Sequence, residues 1–211
     1  MDKIEINTIS TGPSDKLILA SASEARQTIL NKSGTSFEVI VSRVDEGEIK
    51  REARELGLNS LDTALKLARQ KAHRVSEKKP DSYVIGADQL LECEGTWFDK
   101  SESFEDAKTQ LKFLRGKSHN LSTSVSVVKG GKEIWNHTEK PTLIMREISD
   151  EFLEAYIAVA GNEVLGCVGG YRPEGVGIQL FSEISGDYSA ILGLPILPLL
   201  VFLRKNELVL Q

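Results

Sequence analysis

The sequence predicts an α/β protein in which helices flank a mixed sheet. Short apolar runs of strand length, Leu17–Ala20 and Tyr83–Ala87, alternate with stretches whose apolar residues recur every three or four positions. The clearest such stripes are Leu61, Leu65, Ala68 and Ala72, and then Ala107, Leu111 and Leu114. Strands alternating with helices favour one α/β unit over 17–211, split by a central cleft into two lobes. Residues 1–16 are polar and mixed in charge and read as a loose N-terminal extension, without the apolar core of a signal peptide.

Taken in order, Leu17–Ala20 leads through Ser21-Ala22-Ser23 to Ile29-Leu30 and reads as strand, turn, helix. Phe37–Val41 is strand-like and precedes Asp45-Glu46. The stripe from Leu61 to Arg74 defines a helix, with Lys71 beside its apolar face. Tyr83–Ala87 is a strand that ends in an acid, Asp88, where ligands of open α/β sheets gather. Ser103, with Asp106 three residues on, starts a helix that Gly116 ends. Ser122–Lys129, Gly130-Gly131 and Ile134-Trp135 read as a hairpin. A further helix starts at Ser149 and closes at Gly161, and five glycines between Gly166 and Gly177 mark a loop. Ala190–Leu203 is a buried element, since it is interrupted by Gly193, Pro195 and Pro198 and is shorter than the roughly twenty residues of a spanning helix.

Composition narrows the function classes. The chain has 211 residues, 40% of them hydrophobic and 27% charged, so it buries enough apolar surface to fold without disulfides. A formal charge of -5 without a basic stripe speaks against nucleic acid as a partner, and no segment reads as membrane-inserted. The two cysteines, Cys93 and Cys167, are far apart and read as free buried thiols of a reducing compartment. His73, His119 and His137 lack zinc-ligand spacing, and neither a Walker loop nor a dinucleotide fingerprint occurs.

Several residues have the chemistry that triphosphate hydrolysis needs: donors for phosphate oxygens, carboxylates for a metal, a base for water and cations against developing charge. Ser21 and Ser23 with Arg26 would join hydroxyls, amides and a guanidinium against an anion, although the same serines serve equally as helix caps. Asp45-Glu46 offers oxygen ligands or is a solvated acidic turn. Asp88 either faces a ligand or caps a turn, and Lys71 and Lys100 either neutralise phosphate or are solvated.

The blocks Leu19-Ala20-Ser21-Ala22-Ser23 with Arg26, Val44-Asp45-Glu46, Leu67-Ala68-Arg69-Gln70-Lys71-Ala72 and Val84-Ile85-Gly86-Ala87-Asp88 resemble the Maf family of nucleotide pyrophosphatases. Phe98-Asp99-Lys100, Leu114-Arg115-Gly116 with His119, Gly169-Gly170-Tyr171, Ser185-Gly186-Asp187-Tyr188 and Leu192-Gly193-Leu194-Pro195 look like its remaining blocks, so the likeness runs from Leu17 to Leu203. The resemblance implies an elongated α/β fold with a central cleft, a divalent cation (Mg2+ or Mn2+), a cytoplasmic location, a homodimer, and cleavage between the α and β phosphates of non-standard or pyrimidine nucleotides. Carried over by position, Asp88 is the proton acceptor, Glu46 and Asp88 hold metal, Lys71 and Lys100 contact phosphate, and Ser21, Ser23 and Arg26 cradle the triphosphate.

Departures from the family pattern bear on substrate choice. Glu24 stands where proline is common, and Ala25 where arginine or tryptophan separates subgroups, so the chain is intermediate. Gln89 and Glu174, as substrate-binding residues, resemble the subgroup that hydrolyses 7-methyl-GTP rather than the one that hydrolyses dTTP and UTP. Lys100 is followed by Ser101 in place of the usual proline. The competing expectations are a nucleotide-sensing regulator of septum formation without relevant turnover, and a phosphatase that removes only the terminal phosphate.

Overall fold

In the computed structural model, residues 9–10 and 16–210 are described; the reading of 1–16 as an extension otherwise lies outside the described residues. Ile9 and Ser10 are tied down: Ser10 bridges Val209, and the Ile9 N–H donates to the Gly34 carbonyl at 2.9 Å.

Helices begin where the sequence supplies a side-chain acceptor for the free N–H groups of the first turn. Ser23 caps α1 (Glu24–Lys32), Asp45 caps α2 (Glu46–Glu55), Asn59 caps α3 (Ser60–Ser76), Ser103 caps α4 (Phe104–Leu114) and Ser149 caps α5 (Asp150–Ala160). The two latter helices match their sequence-predicted bounds, with Gly116 just beyond α4 and Gly161 closing α5, both at positive φ. Ala190–Leu203 differs from the single buried element expected: Asp187 caps α6 (Tyr188–Ile191), and α7 (Ile196–Lys205) follows Pro195 with Leu197 and Val201 exposed. The glycine-rich loop gives way at Val176–Leu180 to a short 3₁₀ helix.

The strands are β1 (Leu17–Leu19), β2 (Glu38–Val39), β3 (Tyr83–Cys93), β4 (Thr96–Phe98), β5 (Ser118–Lys129), β6 (Lys132–Glu139), β7 (Thr142–Met145) and β8 (Phe181–Ser185). They form a mixed sheet in the order β2-β1-β3-β5-β7-β8, with β4 on β3 and β6 on β5. One expectation needs correcting: Asp88 does not end its strand. Leu90, Leu91 and Cys93 are apolar and buried, and they carry β3 onward to pair with β4, so Asp88 lies mid-strand and caps no turn.

By contacts the chain divides into two units, the first comprising 1–88, 123–138 and 193–211, the second 89–122 and 139–192. In the first, β1 pairs in parallel with both β2 and β3, and all three of its residues are buried. Leu17, Leu19, Ile85 and Ala87 pack with Leu30 of α1 and with Leu199, Phe202 and Leu203 of α7. Ile18, Ala20 and Val84 pack on the other face with Ala72 and Val75 of α3. Parallel strands covered on both faces read as continuous apolar runs, which is why LIL and YVIGA were legible. In the second unit β5, β7 and β8 pair antiparallel, and a core including Leu91, Leu111, Leu114, Leu143, Leu153 and Tyr156 is built from α4, α5, these strands and the end of β3.

Candidate active site

In the first unit, strand alternation decides where Asp88 points. Val84 and Asp88 lie an even number of residues apart, so Asp88 shares the face of β3 that packs on α3. The buried face of α3 runs Ala64, Leu67, Ala68, Lys71, Ala72, Val75, which places Lys71 on the buried stripe rather than beside it. Gly86 allows the close approach: a Cβ there would lie 2.1 Å from the Ala68 carbonyl oxygen and 2.7 Å from the Ala72 nitrogen. Lys71 Nζ consequently donates to Asp88 Oδ1 at 2.5 Å, with both side chains under a tenth exposed.

The same ammonium reaches Glu46 Oε1 at 2.7 Å. Glu46 is the first residue of α2, brought there because Asp45 is used as the cap and accepts from the Glu48 N–H at 2.9 Å. Burial opposes ionisation of Glu46, but the charge and hydrogen bond of Lys71 outweigh it and hold the carboxyl below its usual value. Lys71 thus links two carboxylates of separate elements through one cation.

Ser21, Ser23 and Arg26 form a second group in this unit. Ser23 caps α1, so the capping reading holds, but Arg26 is not a free surface charge. Its Nη1 donates to Ser21 Oγ at 3.3 Å and its Nε to the Gly193 carbonyl at 2.9 Å. Ser21 is buried, and its hydroxyl also accepts from the Ser23 N–H at 3.2 Å. Burial lowers the Arg26 pKa, while the charges of Asp88 and Glu46 oppose the fall, and the guanidinium stays protonated. Gly193 was not singled out as a functional residue from sequence; it lies 167 positions from Arg26, and no local pattern links the two.

The remaining sequence-predicted residues belong to the second unit. Lys100 is exposed and forms a backbone bridge with Val168. The Gln89 side-chain amide donates to the carbonyls of Ala190 and Ile191 at 2.9 and 3.0 Å, so its nitrogen braces α6. Glu174 is exposed. Asp187 is structural, its carboxylate accepting from the Ala190 N–H at 2.7 Å. Both cysteines are free thiols; burial raises the Cys93 pKa and pushes Cys167 to about 11, so neither is a ready thiolate.

Glu46 and Asp88 offer only oxygen donors, the kind that hard divalent cations take from one or two carboxylates while substrate phosphates complete the shell. The donor set fits a magnesium or manganese ion shared with a phosphate ligand. Among the described residues no group of three or more His, Cys, Asp or Glu is placed to hold an ion by itself.

Fold and site together define an α/β protein whose first unit carries a lysine-bridged carboxylate pair and a braced arginine. The family model described as Maf-like protein matches residues 16–206. The chain belongs to the Maf family, as its sequence blocks indicate. Over 192 residues it is 52% identical to a Granulibacter bethesdensis protein named nucleoside triphosphate pyrophosphatase, covering 91% of this chain and 98% of that one. A Nitrobacter hamburgensis protein of the same name is 44% identical, covering 91% and 94%. A Rhizobium johnstonii protein named 7-methyl-GTP pyrophosphatase is 42% identical, covering 90% and 96%.

Proposed function

We propose that this protein hydrolyses a nucleoside triphosphate to the monophosphate and pyrophosphate with the help of a divalent cation. The observation that carries the reading is the buried Lys71 ammonium held between Asp88 and Glu46. An ammonium has three donors, and two are used here, which leaves one for a phosphate oxygen. Arg26 likewise spends two of its five N–H groups on Gly193 and Ser21 and presents the rest to an anion. Asp88 Oδ1 carries Lys71, and its Oδ2 is the oxygen that takes the proton of a water attacking the α-phosphorus. The new P–O bond forms as the bond from the α-phosphorus to the bridging oxygen breaks, and pyrophosphate leaves with the electron pair. A magnesium or manganese ion held by Glu46 and Asp88 would supply Lewis acidity toward the phosphate oxygens.

For the base, a 7-methylated guanine is favoured over thymine or uracil. Glu174 is an exposed carboxylate, able to accept from the N–H groups of a guanine edge and attracted to the positive charge that 7-methylation adds. Gln89 acts on this choice indirectly, through the α6 backbone that it braces. Ala25 supplies no stacking surface, so the carboxylate carries the preference. The reading includes clearance of modified nucleotides in the cytoplasm by a homodimer. Two unpaired cysteines support a reducing compartment, and no helix among the described residues is long and apolar enough to cross a membrane.

The test is to quantify pyrophosphate and orthophosphate released from 7-methyl-GTP, dTTP, UTP and standard nucleotides with Mg2+ or Mn2+. Wild type should release pyrophosphate, and Asp88→Asn should lose at least about 100-fold of the rate. Orthophosphate as the first product would replace this reading with a terminal phosphatase. Absence of metal-dependent turnover would leave the nucleotide-sensing regulator.

A further inference from the structure

We propose that Gly193 is a positioning residue for Arg26, fixing through its main-chain carbonyl the direction in which the guanidinium presents its free donors to the phosphates. The inference rests on the triphosphate reading above and extends it to a residue whose side chain bears no functional group.

Three observations converge. The Gly193 carbonyl accepts from Arg26 Nε at 2.9 Å, while Ser21 Oγ accepts from Nη1 at 3.3 Å, so the planar fork is held at two points. A guanidinium held at one donor can still rotate about that bond; held at two, its plane is set and the unused N–H groups point one way. Gly193 has φ 99°, in the left-handed region that side-chain-bearing residues rarely adopt. A methyl group at this position would lie 3.3 Å from Arg26 Nε and 3.6 Å from Nη2, against the charged group itself. Glycine is therefore favoured by the backbone angle that presents the carbonyl, and a methyl group here would push the guanidinium out of its place by a few tenths of an ångström.

Sequence position explains how the contact is built. Leu192 closes α6, and Leu194 is a fully buried member of the core that also holds Leu17 and Leu19, the latter two residues before Ser21. Leu194 and Leu19 anchor the two ends of the contact in one packed unit, so the carbonyl and the arginine are held in register by the core.

The experiment is a double-mutant cycle read by binding of inorganic tripolyphosphate, a probe without base or sugar, with thermal unfolding of every variant in parallel. Gly193→Ala should weaken tripolyphosphate binding about tenfold in the wild-type background, the scale of one charged hydrogen bond. In an Arg26→Ala background the same change should alter binding less than about twofold, because the residue through which it acts is gone. Nucleotide turnover should follow the same pattern, mostly through KM. Equal weakening in both backgrounds would show a merely structural effect and overturn the inference, as would no weakening in the wild-type background. If Gly193→Ala does not fold, Arg26→Lys serves: it keeps the charge but lacks the fork, and should lose affinity nearly as Arg26→Ala does. Wild-type affinity in Arg26→Lys would overturn the inference. If wild type itself neither binds tripolyphosphate nor turns over nucleotide, the triphosphate reading fails and takes this inference with it; an additive cycle in an active enzyme refutes the inference alone.

Discussion

Lys71 has a side chain 8% exposed, and a bare ammonium so placed would be strongly disfavoured. Asp88 and Glu46 make it tolerable, and each carboxylate gains the same partner. Such an arrangement is weak evidence for stability, since hydrophobic substitutes often pack as well, and is better understood as chemistry kept in place. A second buried titratable residue shows its environment through pH. His119 is 1% exposed, with Nε2 2.7 Å from the Tyr171 hydroxyl, and burial lowers its pKa to about 4, the Lys117 backbone offsetting this only in part. The folded value lies below the unfolded one, so the unfolded chain binds the proton first; the contribution of this residue is complete above about pH 6.5 and is lost as pH falls toward 4. Stability measured by chemical denaturation should decline by about 3 kcal/mol across that window on account of His119, and His119→Gln should flatten the decline. A variant as steep as wild type would show that other groups cause it.

Among the elements, the α3 and β3 pair decides the site. Asn59 starts α3 by accepting from the Leu61 and Asp62 N–H groups at 2.9 Å, and the buried stripe then fixes which way Lys71 faces. Gly86 sets how near β3 comes, and thereby whether Asp88, two residues on, reaches that lysine. Gly86→Ala would place a methyl group against two backbone atoms of α3 that cannot move independently. The expected cost is about 3 kcal/mol of stability, with a larger loss of activity than of folded protein, because separating the elements breaks the Lys71–Asp88 contact. Wild-type denaturation and turnover in this variant would mean that α3 and β3 have room to shift. The hairpins are simpler: Gly130 and Gly131 have φ 57° and 71°, as a two-residue turn joining β5 and β6 requires.

At the scale of the whole molecule, neither unit is a continuous piece of chain. The first is assembled from three segments, and its core draws Leu194, Leu199, Phe202, Leu203 and Val209 from the last of them. Full burial of each large apolar side chain is worth about 1.5–3 kcal/mol, so their combined loss is comparable to the roughly 5–15 kcal/mol by which a protein of this kind is stable. A chain ending at Leu192 should therefore lose amide hydrogen-exchange protection in β1, α1 and α3. Protection at the wild-type level in those elements would show that they hold together without α7.

What could be read from the sequence was local. Caps at Ser23, Ser103 and Ser149, glycine stops at Gly116 and Gly161, the hairpin at Gly130-Gly131 and the apolar runs of β1 and β3 all depend on neighbours a few residues apart. The α/β class followed from their alternation, and the family from the order of the blocks. The short β4, β7 and β8 carried too little periodicity to be found, and α2, rich in charge, gave no apolar stripe. The site was legible only as a set of residue types. That Asp88 lies mid-strand, that one ammonium joins Asp88 to Glu46, and that a glycine carbonyl holds Arg26 from 167 positions away were decided by tertiary structure. Such contacts depend on how strands and helices meet in three dimensions, and local periodicity does not encode that meeting.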